Sequence, residues 1–272
     1  MPKLSVVIIT HNEEQNILRC LESVKPVADE IVVVDSRSAD LTVQICREFG
    51  CTVFSHDFEG YGNQKQFAID QASNDWVLSI DADEVVTEDL KTELIRIFGK
   101  AGDKATESQS NKVTEVIGAE TESSLPCGFI IPFALHYMGR ILKHGGVGNE
   151  FHLRLFNRTK GGFTTVPVHE GIEVKGSVGI MKGRIIHYSY RDISHHLEKI
   201  NTYTSQAAEG YHQKGKSFPK SWVVLKFPFS FISFYILKLG FLDGYPGFMW
   251  SFLAAVYSTL KVAKTIELKH KP

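Results

Sequence analysis

Across its first hundred residues the chain alternates short apolar runs with amphipathic helical stretches, and that alternation narrows the choice of fold sharply. Leu4–Thr10 reads as a strand, and Glu13–Val24 as a helix with Ile17, Leu18, Leu21 and Val24 on one face. Glu30–Val34, Cys51–Ser55 and Trp76–Ile80 read as further strands, and Ala39–Phe49, Asn63–Ala72 and Thr87–Phe98 as helices. Gly50 sits where a helix closes through a left-handed residue, and Thr87 sits where one opens through a side-chain cap. Strictly alternating strands and helices predict an α/β fold with a mostly parallel sheet covered on both faces. With 272 residues, 43% hydrophobic and 22% charged, the chain can bury a full core as one large domain or one domain plus an appendage.

The polar residues gather where the predicted strands end. The first ends in Thr10-His11-Asn12-Glu13-Glu14, the second in Asp35-Ser36, and the run from Trp76 in Asp81-Ala82-Asp83-Glu84. Carboxyl ends of strands are where open α/β sheets bind ligands. Three carboxylates crowded there raise one another's pKa unless a cation or hydrogen-bond donors compensate. Asp-x-Asp at a strand end suggests a metal–diphosphate site, because Mg²⁺ and Mn²⁺ take hard oxygen ligands from one or two carboxylates and from phosphates. The same residues also read as an acidic loop capping the next helix. No glycine-rich loop follows the first strand, so neither a dinucleotide fingerprint nor a P-loop is present. A nucleotide held by side chains, with its diphosphate on a metal, is the reading left.

Residues 99–126 are rich in Gly, Ser, Thr, Lys and Glu and read as a mobile surface loop, with a functional lid as the alternative. Strand-like runs resume at Gly128–Ala134, Phe151–Asn157, Ile172–Val174 and Arg184–Tyr188, and a polar helix is expected from about Asp192 to Gln213. Cys20, Cys46, Cys51 and Cys127 form no CxxC pair, so reduced thiols are expected rather than zinc or disulfides. The amino-terminal run lacks the basic start and cleavage site of a signal peptide and is read as cytoplasmic.

The net charge of −1 conceals a strong polarity. Residues 1–100 carry 9 Lys/Arg against 18 Asp/Glu, whereas residues 128–272 carry 19 against 8. Such asymmetry implies an anionic partner for the basic half. From Trp222 to Val262 the sequence is largely apolar and aromatic, with blocks at Phe227–Leu237 and Gly244–Leu260. Neither block reaches the ~20 apolar residues that span a bilayer. Aromatic amphipathic helices flanked by lysines fit in-plane contact with an anionic leaflet, against the alternative of a helical pair on the protein's own core or a dimer interface. Nucleic acid is not expected, since the basic residues are dispersed among bulky aliphatics.

Several segments in order resemble a known family. Val6-Val-Ile-Ile-Thr-His-Asn-Glu-Glu, Ile31-Val-Val-Val-Asp35-Ser36 and Asp81-Ala-Asp-Glu are similar to the family-2 inverting glycosyltransferases of GT-A fold. Gly139-Arg-Ile-Leu-Lys-His-Gly-Gly, Leu153-Arg-Leu-Phe-Asn-Arg158, Val168-His169-Glu170-Gly171 and Gly240-Phe-Leu-Asp-Gly-Tyr-Pro-Gly-Phe248 resemble its lipopolysaccharide-core branch. Where that branch has Trp and Pro-Asp before Arg154, this chain has Val147-Gly-Asn149-Glu150, which puts sugar or acceptor specificity in doubt.

The resemblance implies a GT-A-type nucleotide-binding sheet flanked by helices over residues 1–190, comprising a nucleotide-binding half (1–98), the loop (99–126) and an acceptor half (127–190). A helical, membrane-associating region follows at 191–272. It implies nucleotide contacts from Thr10, Asn12, Glu13, Asp35, Lys65 and Asp81, and a divalent metal (Mg²⁺ or Mn²⁺) on Asp81 and Asp83. Glu84 is expected to cap the following helix. Inverting transfer is an in-line displacement needing one carboxylate to take the acceptor proton, and Glu170, after Phe163–Val168, matches the family's base. His144, Arg154 and His169 are acceptor or phosphate candidates. Without the family, Asp35 reads as a helix cap, Lys65 as a solvated helix lysine, Arg154 as a surface ion-pair partner, and His169-Glu170 as a surface turn. The implied partners are a nucleotide-sugar donor, in the first instance a UDP-sugar, and a lipid-linked saccharide. The expected site of action is the cytoplasmic face of the inner membrane, with oligomerisation left open. A polyprenyl-phosphate sugar transferase and a non-catalytic nucleotide-sugar-binding protein are the alternatives.

Overall fold

The computed structural model describes residues 1–99, 125–148, 150–163 and 171–269. Its residues fall into two compact units, Met1–Phe133 with Phe151–His187, and Ala134–Glu150 with Tyr188–Pro272. Residues 134–150, expected within the catalytic domain, thus group with the C-terminal helices. The loop expected over 99–126 lies outside the described residues except at its ends.

The first unit opens with β1 (Leu4–Thr10), α1 (Ile17–Val24), β2 (Glu30–Asp35), α2 (Thr42–Phe49), β3 (Thr52–Ser55), α3 (Tyr61–Asp70) and β4 (Trp76–Asp81). A short β5 (Glu84–Val86) and α4 (Glu88–Phe98) follow. After β6 (Gly128–Tyr137) and β7 (Arg140–Ile141) come β8 (Glu150–Asn157), β9 (Gly161–Phe163), β10 (Ile172–Val174), β11 (Val178–Ile180) and β12 (Ile185–His187). The strand order is β3-β2-β1-β4-β8-β6-β12-β5, with β11 also on β6, and β9 and β10 form a separate pair. The four strands of the alternating region are parallel to one another, while β8 runs antiparallel to β4. This mixed sheet flanked by helices is GT-A-like.

All seven residues of β1 are buried, as a central parallel strand covered on both faces requires. Val6 and Ile8 face a cluster that includes Ile17, Leu21, Leu90 and Leu94. Val7 and Ile9 face Ala68, Ile69 and Phe156 on the other side. Helix α2 closes through Gly50 at φ +92°, and Thr87 caps α4 by accepting the Leu90 N–H. Helix α1 begins four residues later than expected. Asn12 is left-handed at φ +54°, and the N–H groups of Glu13 and Glu14 donate to Thr42 Oγ1 and Asp40 Oδ2, at 2.9 and 3.1 Å, instead of entering a helix. The strands missed in the sequence, β5, β7, β9 and β11, span two or three residues each, too short to show a period. All four cysteines are free thiols.

The second unit contains the end of β6, which turns into β7 through Met138 and Gly139, at φ +49° and +78°. Two consecutive positive-φ residues make the two-residue turn whose twist suits a hairpin. Three helices follow: α5 (Ile193–Gln213), capped by Asp192, α6 (Ser221–Ile232), and α7 (Gly244–Leu268). A π-helical turn (Ser233–Leu237) and a 3₁₀ turn (Gly240–Asp243) join the last two. Among the described residues no single helix is long and apolar enough to cross a membrane. Ser221–Leu237 and Gly240–Leu268 pass that test together, by length and composition, but are bent by 68°.

His196 of α5 is buried within this unit. Tyr137 Oη lies 2.9 Å from its Nδ1, and its ring stacks on Trp250 with centroids 5.7 Å apart. Burial, with Lys199 and His195 adding to it, holds the imidazole down at about 4. An unfolded histidine titrates near 6.5, so between pH 6.5 and 4 the unfolded chain binds the extra proton and stability falls as pH falls. Urea denaturation across that window is expected to show a decline shallower by roughly 1–3 kcal/mol in His196→Phe than in the wild type.

Candidate active site

The register of three parallel strands brings the predicted nucleotide residues to one edge. Thr10 pairs with Asp35 across β1 and β2, and Ile9 pairs with Asp81 across β1 and β4. All three strands end together, so Thr10, Asp35 and Asp81 stand in a row along the carboxyl edge, where α/β sheets take ligands.

At the β1–β2 end, two turns are tied to each other by side chains. The Asn12 N–H donates to Ser38 Oγ at 2.8 Å, and Asn12 Oδ1 accepts the Ala39 N–H at 2.8 Å. Ser36 O lies 2.8 Å from His11 Nδ1. Glu13 holds its own turn through Asn16, whose amide donates to Glu13 Oε2 at 2.7 Å. Asp35 is 3% exposed, and both its carboxylate oxygens accept from Ser38, the N–H at 2.9 Å and the hydroxyl at 2.5 Å. It therefore holds its own turn and caps no helix, since α2 begins only at Thr42. Each carboxylate oxygen has a second lone pair, which leaves acceptor capacity for a base imide. Thr10 Oγ1 is buried with no hydrogen-bond partner among the described residues.

At the end of β4, three carboxylates meet three basic side chains. Lys65, from the buried face of α3, places Nζ 2.8 Å from Asp81 Oδ1 and donates to Oδ2 at 2.9 Å. Arg154 sits on β8, whose antiparallel register against β4 carries it to the acidic end. Its guanidinium donates to Glu84 Oε1 at 2.9 Å, reaches Asp81 Oδ2 at 3.5 Å, and lies over the Phe133 ring at 5.1 Å. His187, at the end of β12, places Nε2 3.2 Å from Asp83 Oδ2. Burial would raise the Asp81 carboxyl, but Lys65 and then Arg154 overcome it and hold it down at about 2. Burial pushes Glu84 up to about 7, with Asp81 adding to the rise and Arg154 opposing it. His187 is raised above its ordinary value, because its bond to Asp83 and the charges of Asp83, Glu84 and Asp81 outweigh its burial.

Two sequence expectations change here. Glu84 does not cap the following helix, a task Thr87 performs. It is 1% exposed within β5, accepts the Asp81 N–H at 2.9 Å, and is the inner partner of Arg154. Arg154 is no surface arginine either, since its side chain is 12% exposed between two acids. His187 went unnoticed in the sequence, although it ends the apolar run Ile185-Ile186 much as Asp35 and Asp81 end theirs. Register β12–β5 sets it opposite Glu84. His144 belongs to the second unit, where its N–H and ring meet the Asp243 carboxylate at 2.8 and 3.3 Å. His169 and Glu170 lie outside the described residues.

Among the described residues no group of three His, Cys, Asp or Glu side chains is set to enclose a metal. What the edge does offer is two hard oxygen donors, Asp81 and Asp83. Asp81 Oδ1 is buried and accepts no directed hydrogen bond, although the Lys65 charge lies close. Two carboxylates, already held by Lys65 and His187, are the donor set of a Mg²⁺-like ion that takes the rest of its shell from phosphate and water, not of a closed cage.

Removing one member of a buried pair strands its partner's charge. Arg154→Met is accordingly expected to destabilise the protein by roughly 3 kcal/mol in urea denaturation at neutral pH. Arg154→Lys should recover only part of this, since an ammonium cannot span Glu84 and Asp81 as a planar fork does.

Comparison with known proteins agrees with this architecture. The family model for glycosyl transferase family 2 matches residues 5–159. An uncharacterized glycosyltransferase of Rickettsia typhi is 30% identical over 280 residues, covering 100% of this chain and 89% of that protein. The lipopolysaccharide core biosynthesis glycosyltransferase LpsC of Rhizobium meliloti is 31% identical over 289 residues, 100% of this chain and 97% of its own. Glucosyl-3-phosphoglycerate synthase from Mycobacterium tuberculosis, solved with Mn²⁺, UDP and glucosyl-3-phosphoglycerate, is 29% identical over 31% of this chain and 34% of its own, at a TM-score of 0.29. That overlap is too small to carry any role across. Acids aligned along one sheet edge, a family match over more than half of the 272 residues and full-length relatives that are glycosyltransferases converge on one conclusion: the chain belongs to glycosyl transferase family 2 and is a glycosyltransferase.

Proposed function

We propose that this enzyme moves a hexose, with inversion, from a UDP-sugar to a lipid-linked saccharide such as a lipopolysaccharide core precursor, at the cytoplasmic face of the inner membrane. The observation that carries the donor half is the row Thr10, Asp35 and Asp81 on one sheet edge, with Asp83 beside it. Full-length similarity to LpsC supports the acceptor half, as does the junction of an acidic N-terminal half with a basic, aromatic tail.

In this reading Asp35 accepts the imide N–H of the base, while Thr10, Asn12 and Glu13 line the base and ribose. Asp81 and Asp83 hold a divalent cation, which when bound neutralises charge growing on the departing diphosphate. Lys65 fixes Asp81, and His187 fixes Asp83, so neither carboxylate has to be ordered when the donor arrives. Lys65 also brings positive charge to the diphosphate side. Glu170, with His169 next to it, accepts the proton of the acceptor hydroxyl. As that oxygen bonds to the anomeric carbon, the bond from the same carbon to the diphosphate oxygen breaks. A nucleoside diphosphate leaves without needing a proton, so one base is enough, unlike the paired carboxyls of inverting glycosidases. Arg154 acts through Glu84 and Asp81 as a positioning residue, and His144 is a weaker candidate for acceptor contact.

A thermal-shift series with UDP-sugars is expected to raise the melting temperature, more so with Mn²⁺ or Mg²⁺, because a ligand at a hundred times its Kd adds about 2.7 kcal/mol. Asp83→Ala should lose the metal-dependent part of that shift. If no nucleotide-sugar or nucleoside diphosphate shifts the wild type, the donor assignment is wrong. Glu170→Gln should keep the donor shift but lower kcat about 10²–10⁴-fold. Turnover that survives in Glu170→Gln would instead favour a phosphate acceptor, which needs little general base.

A further inference from the structure

Along α6, Trp222, Leu225, Phe229 and Ile232 recur every three or four residues and so share one face, and Ile236 follows on the π-helical turn. They are between 42% and 76% exposed. The bend continues this apolar surface with Leu237 at 73% and Phe241 at 43%, and α7 adds Tyr245 at 62%. Monomeric proteins rarely leave so continuous an apolar face uncovered, and one that persists marks a binding surface.

The bend is built into the sequence. A Cβ at Gly247 would lie 2.0 Å from the Gly240 carbonyl oxygen, so only glycine lets the two turns approach. Asp243, 1% exposed, accepts the N–H groups of Lys143 and His144 at 2.9 and 2.8 Å, and the Gly145 N–H donates to the Lys238 carbonyl at 2.8 Å. These bonds tie the 143–145 loop to the bend and set Arg140, Lys143 and Lys238, all exposed, around it. Lys220 adds a fourth exposed cation at the start of α6. None of the four is ion-paired among the described residues. Asp243 is the one acid in the sequence between Glu209 and Glu267, and it is buried.

We infer that α6, the bend and the first turns of α7 form a docking surface for an anionic bilayer. Its apolar residues enter the acyl boundary, and Arg140, Lys143, Lys220 and Lys238 meet the phosphate headgroups. This deepens the membrane placement proposed above and rests on it. The charge pattern selects the occupant. A second copy docked through the same face would bring these cations together, with Asp243, the one acid of the segment, buried and unable to answer them, which costs association. A headgroup layer supplies the missing negative charge at the height where lysines snorkel from an inserted apolar face. Neither arm passes as a span by itself, and a bend of 68° between them suits a pair lying along the interface.

The test is sedimentation of the full-length protein with vesicles of phosphatidylcholine alone or mixed with phosphatidylglycerol. The wild type should pellet with the mixed vesicles, less as salt is raised. Phe229→Ser and Leu237→Ser should lose at least tenfold in binding, and Lys143→Ala and Lys238→Ala roughly fivefold each. These side chains are exposed, so circular dichroism melting curves should be unchanged. If the wild type binds but all four variants bind equally well, membrane placement survives and this surface is the wrong one. If the wild type binds no vesicle, the placement itself falls, while a retained UDP-sugar thermal shift leaves the donor assignment standing. A dimer in light scattering that Phe229→Ser dissolves, without vesicle binding, would make the face a self-interface and overturn the inference.

Discussion

The charge balance at the end of β4 is the interaction on which the rest of the catalytic unit depends. Three carboxylates within four residues of one another are intolerable in a sheet core unless cations answer them. The answers arrive from three different elements: Lys65 from α3, Arg154 from β8 and His187 from β12. Each contact therefore also specifies how those elements meet β4 and β5. A one-residue slip of β8 would turn Arg154 to the opposite face and leave Glu84 buried without its cation. Buried ion pairs contribute little net stability over apolar replacements, yet they penalise wrong pairings heavily. Here the acids at the sheet edge and the bases that fix register form one interlocked network.

Much of this was legible in the sequence, and the reason is physical. The α/β alternation shows because each helix buries one stripe and each parallel strand is apolar throughout, two periods that differ by eye. Asp35 and Asp81 stand out because a charge ending an apolar run is costly unless it is used. What could not be read was how the third carboxylate is used. Glu84 precedes a helix and looks like a cap, and only the pairing of β5 with β12 shows that it faces inward. That pairing joins residues about a hundred positions apart through strands of three residues, which carry no periodicity. Arg154 stands out as an acceptor or phosphate candidate, but its pairing with Glu84 is not legible for the same reason, since its partners come from the other end of the unit.

In the second unit the sequence showed composition but not direction. Two apolar blocks around Lys238 were plain, as was their failure to reach bilayer length. Which residues turn outward depends on the bend, and the bend depends on glycine contacts between Gly240 and Gly247 that no hydropathy profile records. The π-helical turn before it shifts the facing of every residue beyond, so a constant helical period fails there.

The stitching of the β1 turn to the β2 turn has a consequence for ligand binding. Asn12 is fixed to Ser38 and Ala39, and Glu14 accepts the Leu41 N–H at 3.1 Å while its own N–H is held by Asp40. In the proposed donor reading these two turns are the walls around the base, and their side-chain hydrogen bonds tie them into one piece. On that proposal, binding at so tied an edge forfeits little chain entropy, so discrimination among nucleotides would fall to a template of fixed shape and adaptation to different sugars to the rest of the cleft.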